Sequence, residues 1–318
     1  LDQRKLGRTD IEIAPLVLGG NVFGWTADEK TSFDILDVFA AEGFTAIDTA
    51  NGYSRWVPGH QGGESETIIG NWMKARGNRA KLHVFTKVGS DMGQGKKDLS
   101  AAHITQAVED SLRRLQTDYL DLYFAHWPDD TVTQEESLRA FAKLVGSGKV
   151  RAIGCSNYDE KLLTEALEVS ASRNWPRYEV IQNEYNLYSR AKFEGPVQEI
   201  VRREGLGSIP YYGLASGFLT GKYRSEADAH KSARGKGATR YLDAKGNRIL
   251  AAMDEVAART GAALSEIALA WLAAQPGVTA PIASATSVAQ VESLARGARL
   301  SLSAHDLDTL TTSGFKQA

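Results

Sequence analysis

A chain of 318 residues with 42% hydrophobic and 24% charged residues can bury a sizeable core, and α/β barrels routinely take this length as a single domain. A formal charge of −2 gives no general attraction to nucleic acid or to an anionic membrane. The one cysteine, Cys155, excludes an internal disulfide framework and suits a reducing cytosol, so a cytoplasmic location is expected.

Leu1-Asp2-Gln3-Arg4-Lys5 is followed by no apolar signal core, and the missing initiator Met points to a processed or trimmed start. A hairpin is expected around Lys5–Leu6 and Ile11–Ala14, then a strand at Leu16–Leu18. Thr31–Ala41 reads as a helix, with Phe33, Leu36, Asp37 and Ala40 along one face. Gly43–Tyr53 begins as a buried strand and ends in Asp48, with Tyr53 on the loop beyond. A helix over Ser65–Lys74 buries Ile68, Ile69 and Trp72, and His83–Lys87 is a strand. Ser100 caps a helix in which Ile104, Val108, Leu112 and Leu115 share a face.

The strand Tyr119–Ala125 runs into His126, and Thr133-Gln134-Glu135-Glu136 has the spacing of a capping box. Val150–Cys155 is a strand ending in Ser156-Asn157, and Asp159–Ser172 a helix. Val180–Ile181 leads into Gln182-Asn183, a helix follows around Pro196–Arg203, and Gly207–Pro210 leads into Tyr211. Residues 217–245 break the rhythm and are too long for an ordinary connection. Helices resume at Arg248–Arg259 and Leu264–Ala274; the last strand, Thr279–Ile282, ends near Ser284. Ser287–Arg296 and a helix capped by Ser303 complete the chain. The longest plainly apolar run, Ile267–Ala274, is far below the ~20 residues of a membrane span, so no membrane partner is expected.

Eight strands alternate with helices, marked by Leu16, Ile47, Val84, Leu122, Ile153, Ile181, Ser208 and Pro281. This predicts an α/β chain folded as one (β/α)8 TIM barrel over residues 1–318, with an N-terminal hairpin and extra C-terminal helices. No G-x-G-x-x-G follows the first strand, which removes the dinucleotide fingerprint of an open sheet.

In a βα barrel the C-terminal ends of the strands share one rim, and here nearly every one carries a polar side chain. Lys87 ends an apolar strand beside that of Asp48, which makes the two natural partners. A lysine next to the Tyr53 phenol is expected to lower its pKa and let it serve as general acid, with His126 orienting a carbonyl or sharing the proton. A structural ion pair and a hydrogen-bonded core histidine are the plain alternatives.

Asp48, Tyr53, Lys87 and His126 resemble the Asp-Tyr-Lys-His tetrad of the aldo-keto reductase superfamily in order and strand context. Gly154-Cys155-Ser156-Asn157 resembles its G-x-S-N segment, Gln182 to Asn186 its Q-x-x-Y/F-N segment, and Tyr211 to Tyr223 its Y-S-P-L-x-x-G-x-L-T-G-K-Y stretch. The resemblance implies an NAD(P)H-dependent oxidoreductase interconverting carbonyls and alcohols, with Tyr53 as general acid/base and a small-molecule substrate. It implies that Ser156, Asn157 and Gln182 hold the nicotinamide carboxamide, that Tyr211 stacks on the ring, and that Leu214, Ser216, Gly217 and Lys222 meet the pyrophosphate. Arg234, in a stretch with eight Lys/Arg against three Asp/Glu over residues 222–248, joins a phosphate clamp. Ser284 and Thr286 would reach the adenosine phosphate, and Glu292 the adenine.

NADP(H) is the cofactor implied, with NAD(H) as the second candidate, because the loop after the last strand carries no cation. Tyr212-Gly213 replaces the usual Ser-Pro, and Ala283 a usual Gly. Phe23, Trp25, Trp56 and Trp127 are placed to line a substrate pocket closed by barrel loops. The alternative left open is a cofactor-binding regulatory subunit similar to channel β-subunits. A metal-dependent hydrolase is weaker, since the six His lack ligand spacing. Oligomeric state is not legible.

Overall fold

The structure, a computed structural model, describes residues 1–315. A two-residue hairpin, β1 (Arg4–Lys5) and β2 (Glu12–Ile13), precedes eight parallel strands. These are β3 (Val17–Gly19), β4 (Ala46–Asp48), β5 (His83–Val88), β6 (Leu120–Ala125), β7 (Val150–Ser156), β8 (Tyr178–Gln182), β9 (Gly207–Ser208) and β10 (Ile282–Ala283). They pair in the order β10-β3-β4-β5-β6-β7-β8-β9. The two ends of that order meet: Thr279 N donates to Ser208 O at 2.8 Å and Ile282 N to Pro210 O at 2.9 Å. This is the (β/α)8 barrel expected.

Period-two alternation sorts each strand between two cores. Ile47, Val84, Tyr123, Ile153 and Ile181 face outward beneath the helices. Ala46, Phe85, Leu122, Phe124, Ala152 and Val180 fill the interior, together with Leu6, Ile11 and Ile13 of the hairpin. The hairpin therefore seals the end at which the strands begin, and Arg4 fastens it to the carbonyls of Ala273 and Thr279 at 2.7 and 3.1 Å. Carried one step further along the strands, the same alternation points Asp48, Lys87, His126, Ser156 and Gln182 to the open end.

Three local expectations are corrected. The first helix, Glu29–Ala41, buries Ser32, Ile35, Leu36 and Phe39. Phe33 and Ala40 are half-buried, and Asp37 turns aside to accept hydrogen bonds from Trp72 Nε1 and Arg76. Thr133 caps the helix Gln134–Gly146, but the Glu136 carboxylate accepts from Ala101 N (3.0 Å) at the start of the neighbouring helix, so the box is not closed. The long segment after β9 is three short helical turns, Ala215–Thr220, Glu226–Lys231 and Gly235–Thr239. Buried Phe218, Leu219, Tyr223, Ala238 and Tyr241 hold it down. No single helix among the described residues is long and apolar enough to cross a membrane.

Gly154 shows how tightly the interior is filled just below the rim. A Cβ there would lie 2.4 Å from Phe124 Cε1 and 2.8 Å from Val180 O. Gly154→Ala is expected to destabilise the fold by ~1–3 kcal/mol, the usual range for overpacking a core. A lowered urea midpoint at unchanged slope is the measurement that checks it.

Candidate active site

The deepest feature of the open end is the Lys87 ammonium, which is fully buried. Its three protons have three acceptors: Asp48 Oδ2 at 2.6 Å, Thr49 O at 2.8 Å and Tyr53 Oη at 2.8 Å. The other carboxylate oxygen, Asp48 Oδ1, accepts from Gln182 Nε2 at 3.0 Å across the barrel. Because Lys87 donates to the phenol oxygen, the phenol proton is left to point elsewhere. Its one acceptor in the protein, Asp48 Oδ2, is 3.5 Å away, long for an O–H···O bond. Tyr53 thus presents a donor to the space above it.

The phenol is not lowered as expected. Burial, then the negative charge of Asp48, hold the Tyr53 pKa well above its ordinary value. Burial also lowers Lys87, against the opposing pull of Asp48. At neutral pH Tyr53 is accordingly a protonated acid. His126 lies beside it with ring centroids 5.9 Å apart, and burial followed by the Lys87 charge keeps its pKa well below the ordinary value. It is a neutral imidazole, and its Nδ1 is 2.8 Å from Ser90 Oγ.

These groups form the wall of a cavity of about 760 Å³, within the size range of small-molecule sites. Trp56 and Trp127 stand at its mouth, 52% and 38% exposed. Trp127 stacks on His126 at 6.0 Å, and Trp56 meets Tyr53 edge-on at 6.4 Å. Trp25 sits behind Trp56 at 5.5 Å and does not itself line the cavity. Phe23 is a correction: it is fully buried in the outer core, because its loop folds back so that its carbonyl accepts from Ser54 Oγ.

Away from Tyr53 the cavity runs past Ser156, Asn157, Gln182 and Tyr211. Asn157 is engaged within the protein: Nδ2 donates to His126 O and Ser156 Oγ, and Oδ1 accepts from Tyr211 Oη at 2.7 Å. It thereby ties the Tyr211 phenol to the end of β7. Gln182 is bonded through Nε2 alone, leaving Oε1 as an acceptor in the cavity wall. Tyr212 takes a left-handed φ of 57°, rare for an aromatic residue, and Gly213 in place of a proline leaves that conformation open. Leu214, Ser216, Gly217 and Lys222 line the next stretch, Ser216 and Gly217 with positive φ, together with Arg234. Two cations lie over aromatic rings rather than against carboxylates: Lys222 on Tyr223 at 5.1 Å and Arg234 on Trp25 at 5.9 Å. Arg234 is partly desolvated, and its pKa is lowered for that reason.

The far end is formed by Ser284, Thr286, Gln290, Ser265, Ser293 and Leu294. Glu292 is exposed and outside the cavity, a second correction: its helix, Val288–Arg299, turns Gln290, Ser293 and Leu294 inward. A free amide acceptor, two cations without carboxylate partners among the described residues, and a neutral far end fit an elongated cofactor with a carboxamide and phosphates. Sequence reading missed Asn21, hydrogen-bonded to Ser284, as well as Ser90, Tyr212 and Gln290. A polar residue soon after a strand end was the signal available for Asn21 and Ser90. Among the described residues no group of three His, Cys, Asp or Glu could hold a metal ion.

The aldo/keto reductase family model matches residues 15–313, and the chain belongs to that family. It is therefore an oxidoreductase of the NAD(P)H-dependent, carbonyl-reducing class. It is 35% identical to the uncharacterized oxidoreductase YrpG of Bacillus subtilis over 305 residues, 93% of this chain and 91% of that protein. Identity to Protein tas of Escherichia coli is 31% over 331 residues, 95% and 94% of the two chains. A probable voltage-gated potassium channel subunit beta of Oryza sativa subsp. japonica is 31% identical over 302 residues, 92% and 89%.

Removing one member of a buried ion pair strands the other. Lys87→Met is expected to destabilise the fold by ~3–5 kcal/mol, whereas Lys87→Met with Asp48→Leu recovers part of that loss. Urea unfolding of the parent, single and double variants measures both.

Proposed function

We propose that this chain reduces an aldehyde or ketone to the alcohol and runs the reverse oxidation, with Tyr53 moving the proton. The observation that supports this reading is the geometry of Lys87: its three donors are occupied and one of them rests on the phenol oxygen, leaving the phenol proton free toward the cavity. A bound nicotinamide supplies or takes the hydride. Tyr53 gives its proton to the substrate oxygen in reduction and receives it in oxidation. Lys87 stabilises the phenolate that reduction leaves behind, and Asp48 keeps Lys87 charged. His126, neutral and beside Tyr53, orients the same oxygen, while Trp56 and Trp127 cover the substrate. Gln182 Oε1 and the Tyr211 ring hold the carboxamide end.

The rice relative's name brings a second reading, a cofactor-binding subunit of a channel. The complete Asp48-Tyr53-Lys87-His126 set beneath an open cavity favours the enzyme. Tyr53→Phe is expected to lower turnover ~10²–10⁴-fold with cofactor affinity unchanged. Because the Tyr53 pKa is raised, reduction by the parent chain holds steady from neutral to mildly alkaline pH, while oxidation, which needs the phenolate, climbs with pH. Steady-state pH–rate profiles in both directions check this, and full activity in a folded Tyr53→Phe protein would falsify the mechanism.

NADP(H) is the proposed cofactor, with weak discrimination against NAD(H). The loop after β10 contributes only hydroxyls and amides, and Thr286 N and Oγ1 already donate to Gln290 Oε1 at 2.8 and 3.2 Å. Arg234, Lys236 and Arg240 are the candidates in that basic stretch to meet a 2′-phosphate; Lys236 is exposed and Arg240 donates to Tyr241 Oη, whereas Arg234 lines the cavity. One charge-assisted contact is worth ~1.5–3 kcal/mol, about 10- to 100-fold. A preference for NADPH above roughly 10³-fold would need more than one such contact; a smaller preference is expected, and Arg234→Ala is expected to remove most of it. Fluorescence titration of NADPH and NADH with both proteins measures it.

A further inference from the structure

β5 ends at Val88, and the chain leaves the barrel through Gly89, whose φ of 105° is poorly open to other residues. A Cβ there would also lie 2.6 Å from Leu99 Cδ2. This turn swings Ser90 over the end of β6, where its hydroxyl meets Nδ1 of His126 at 2.8 Å. Among the described residues that is the one hydrogen bond of the Ser90 hydroxyl and of the His126 ring. The opposite ring nitrogen, Nε2, has no hydrogen-bond partner among the described residues and is not sealed from the cavity that His126 lines.

A neutral imidazole carries one proton, and whichever nitrogen lacks it must accept. His126 is neutral, held so by burial and the adjacent Lys87 charge. Were Nδ1 to carry the proton and donate to Ser90, the Nε2 lone pair would face the lone pairs of a carbonyl oxygen. Were Ser90 to donate to Nδ1, Nε2–H would face that oxygen instead. The second arrangement also gives the Ser90 proton the one acceptor within reach. It provides two donors, from Tyr53 and His126, for an oxygen with two lone pairs.

Resting on the reductase reading above, we propose that Ser90 is a positioning residue that fixes His126 in the tautomer protonated at Nε2. Ser90 touches neither substrate nor cofactor in this role; it sets which face of the imidazole donates. Trp127 lies over one side of the ring, with centroids 6.0 Å apart.

The test uses the full chain labelled with nitrogen-15 histidine, the His126 signals being assigned by their loss in His126→Asn. Long-range proton–nitrogen correlation is expected to show Nε2 protonated and Nδ1 bare in the parent chain, a mixture in Ser90→Ala, and the parent pattern in Ser90→Thr. Carbonyl reduction should fall about tenfold in kcat/KM in Ser90→Ala, the scale of one lost hydrogen bond, and recover in Ser90→Thr, at unchanged cofactor affinity. A proton on Nδ1 in the parent chain, or an unaltered tautomer in Ser90→Ala, overturns the proposal. A parent chain that reduces no carbonyl overturns the reductase reading instead, and the ring signals still decide the role of Ser90.

Discussion

A buried ammonium must find its hydrogen bonds inside the protein, and Lys87 finds three. Desolvation pushes such a group toward neutrality, so its charge survives only while Asp48 stays ionised at 2.6 Å. The pair fixes much else. Asp48 must lie where β4 ends, level with Phe85 on β5, so that Lys87, two residues further along β5, reaches across to it. Gln182, on the fourth strand beyond β4, then ties down the free carboxylate oxygen. One contact therefore sets the relative height of β4, β5 and β8, and Tyr53 inherits its place from them.

β5 is held on its other face by a second ion pair, with a buried carboxylate and a partly exposed arginine. Thr86, pointing outward, donates to Glu66 at 2.5 Å, and Glu66 accepts from Arg114 at 2.7 Å. Pairs with a buried member contribute less to stability than their Coulomb energy suggests, because burial strips water from a charge. What they give is register. A slip of one residue in β5 would place Lys87 in the outer core and Thr86 inside, leaving charges unpaired on both faces.

The arrangement of the floor is legible in the sequence because it follows from two simple patterns. Strand alternation carries Asp48, Lys87, His126, Ser156 and Gln182 to one end, and opposite charges at neighbouring strand ends announce a pair. What failed depended on distances a sequence does not hold. The Tyr53 phenol was expected to fall in pKa on account of its lysine; burial and Asp48 outweigh that pull. Phe23 was assigned to the mouth on its position after β3, but the loop turns it into the core. Glu292 was taken inward when Ser293 and Leu294 are the residues that face the cavity. That is an error of one step on a helix, where each step turns the side chain by about 100°. Ser90 and Asn21 went unread because hydroxyls and amides on loops are too common to single out without the partner they meet.

The floor and the mouth answer to different constraints. Below, each polar group is locked by at least one partner, and Gly154 leaves no room for change beneath it. Above, Trp56, Trp127 and Tyr212 are half-exposed on loops, and the left-handed backbone at Tyr212 shows that this segment follows its own local turns rather than the barrel. A barrel can exchange rim residues without disturbing strand register, whereas a change at Lys87 disturbs three strands. The floor, to which the reading above assigns proton transfer, is thus the part this chain would have in common with any enzyme built on the same tetrad. On the reductase reading proposed above, the choice of carbonyl would rest with the tryptophans and Tyr212, whose flat faces can bury apolar surface at the mouth.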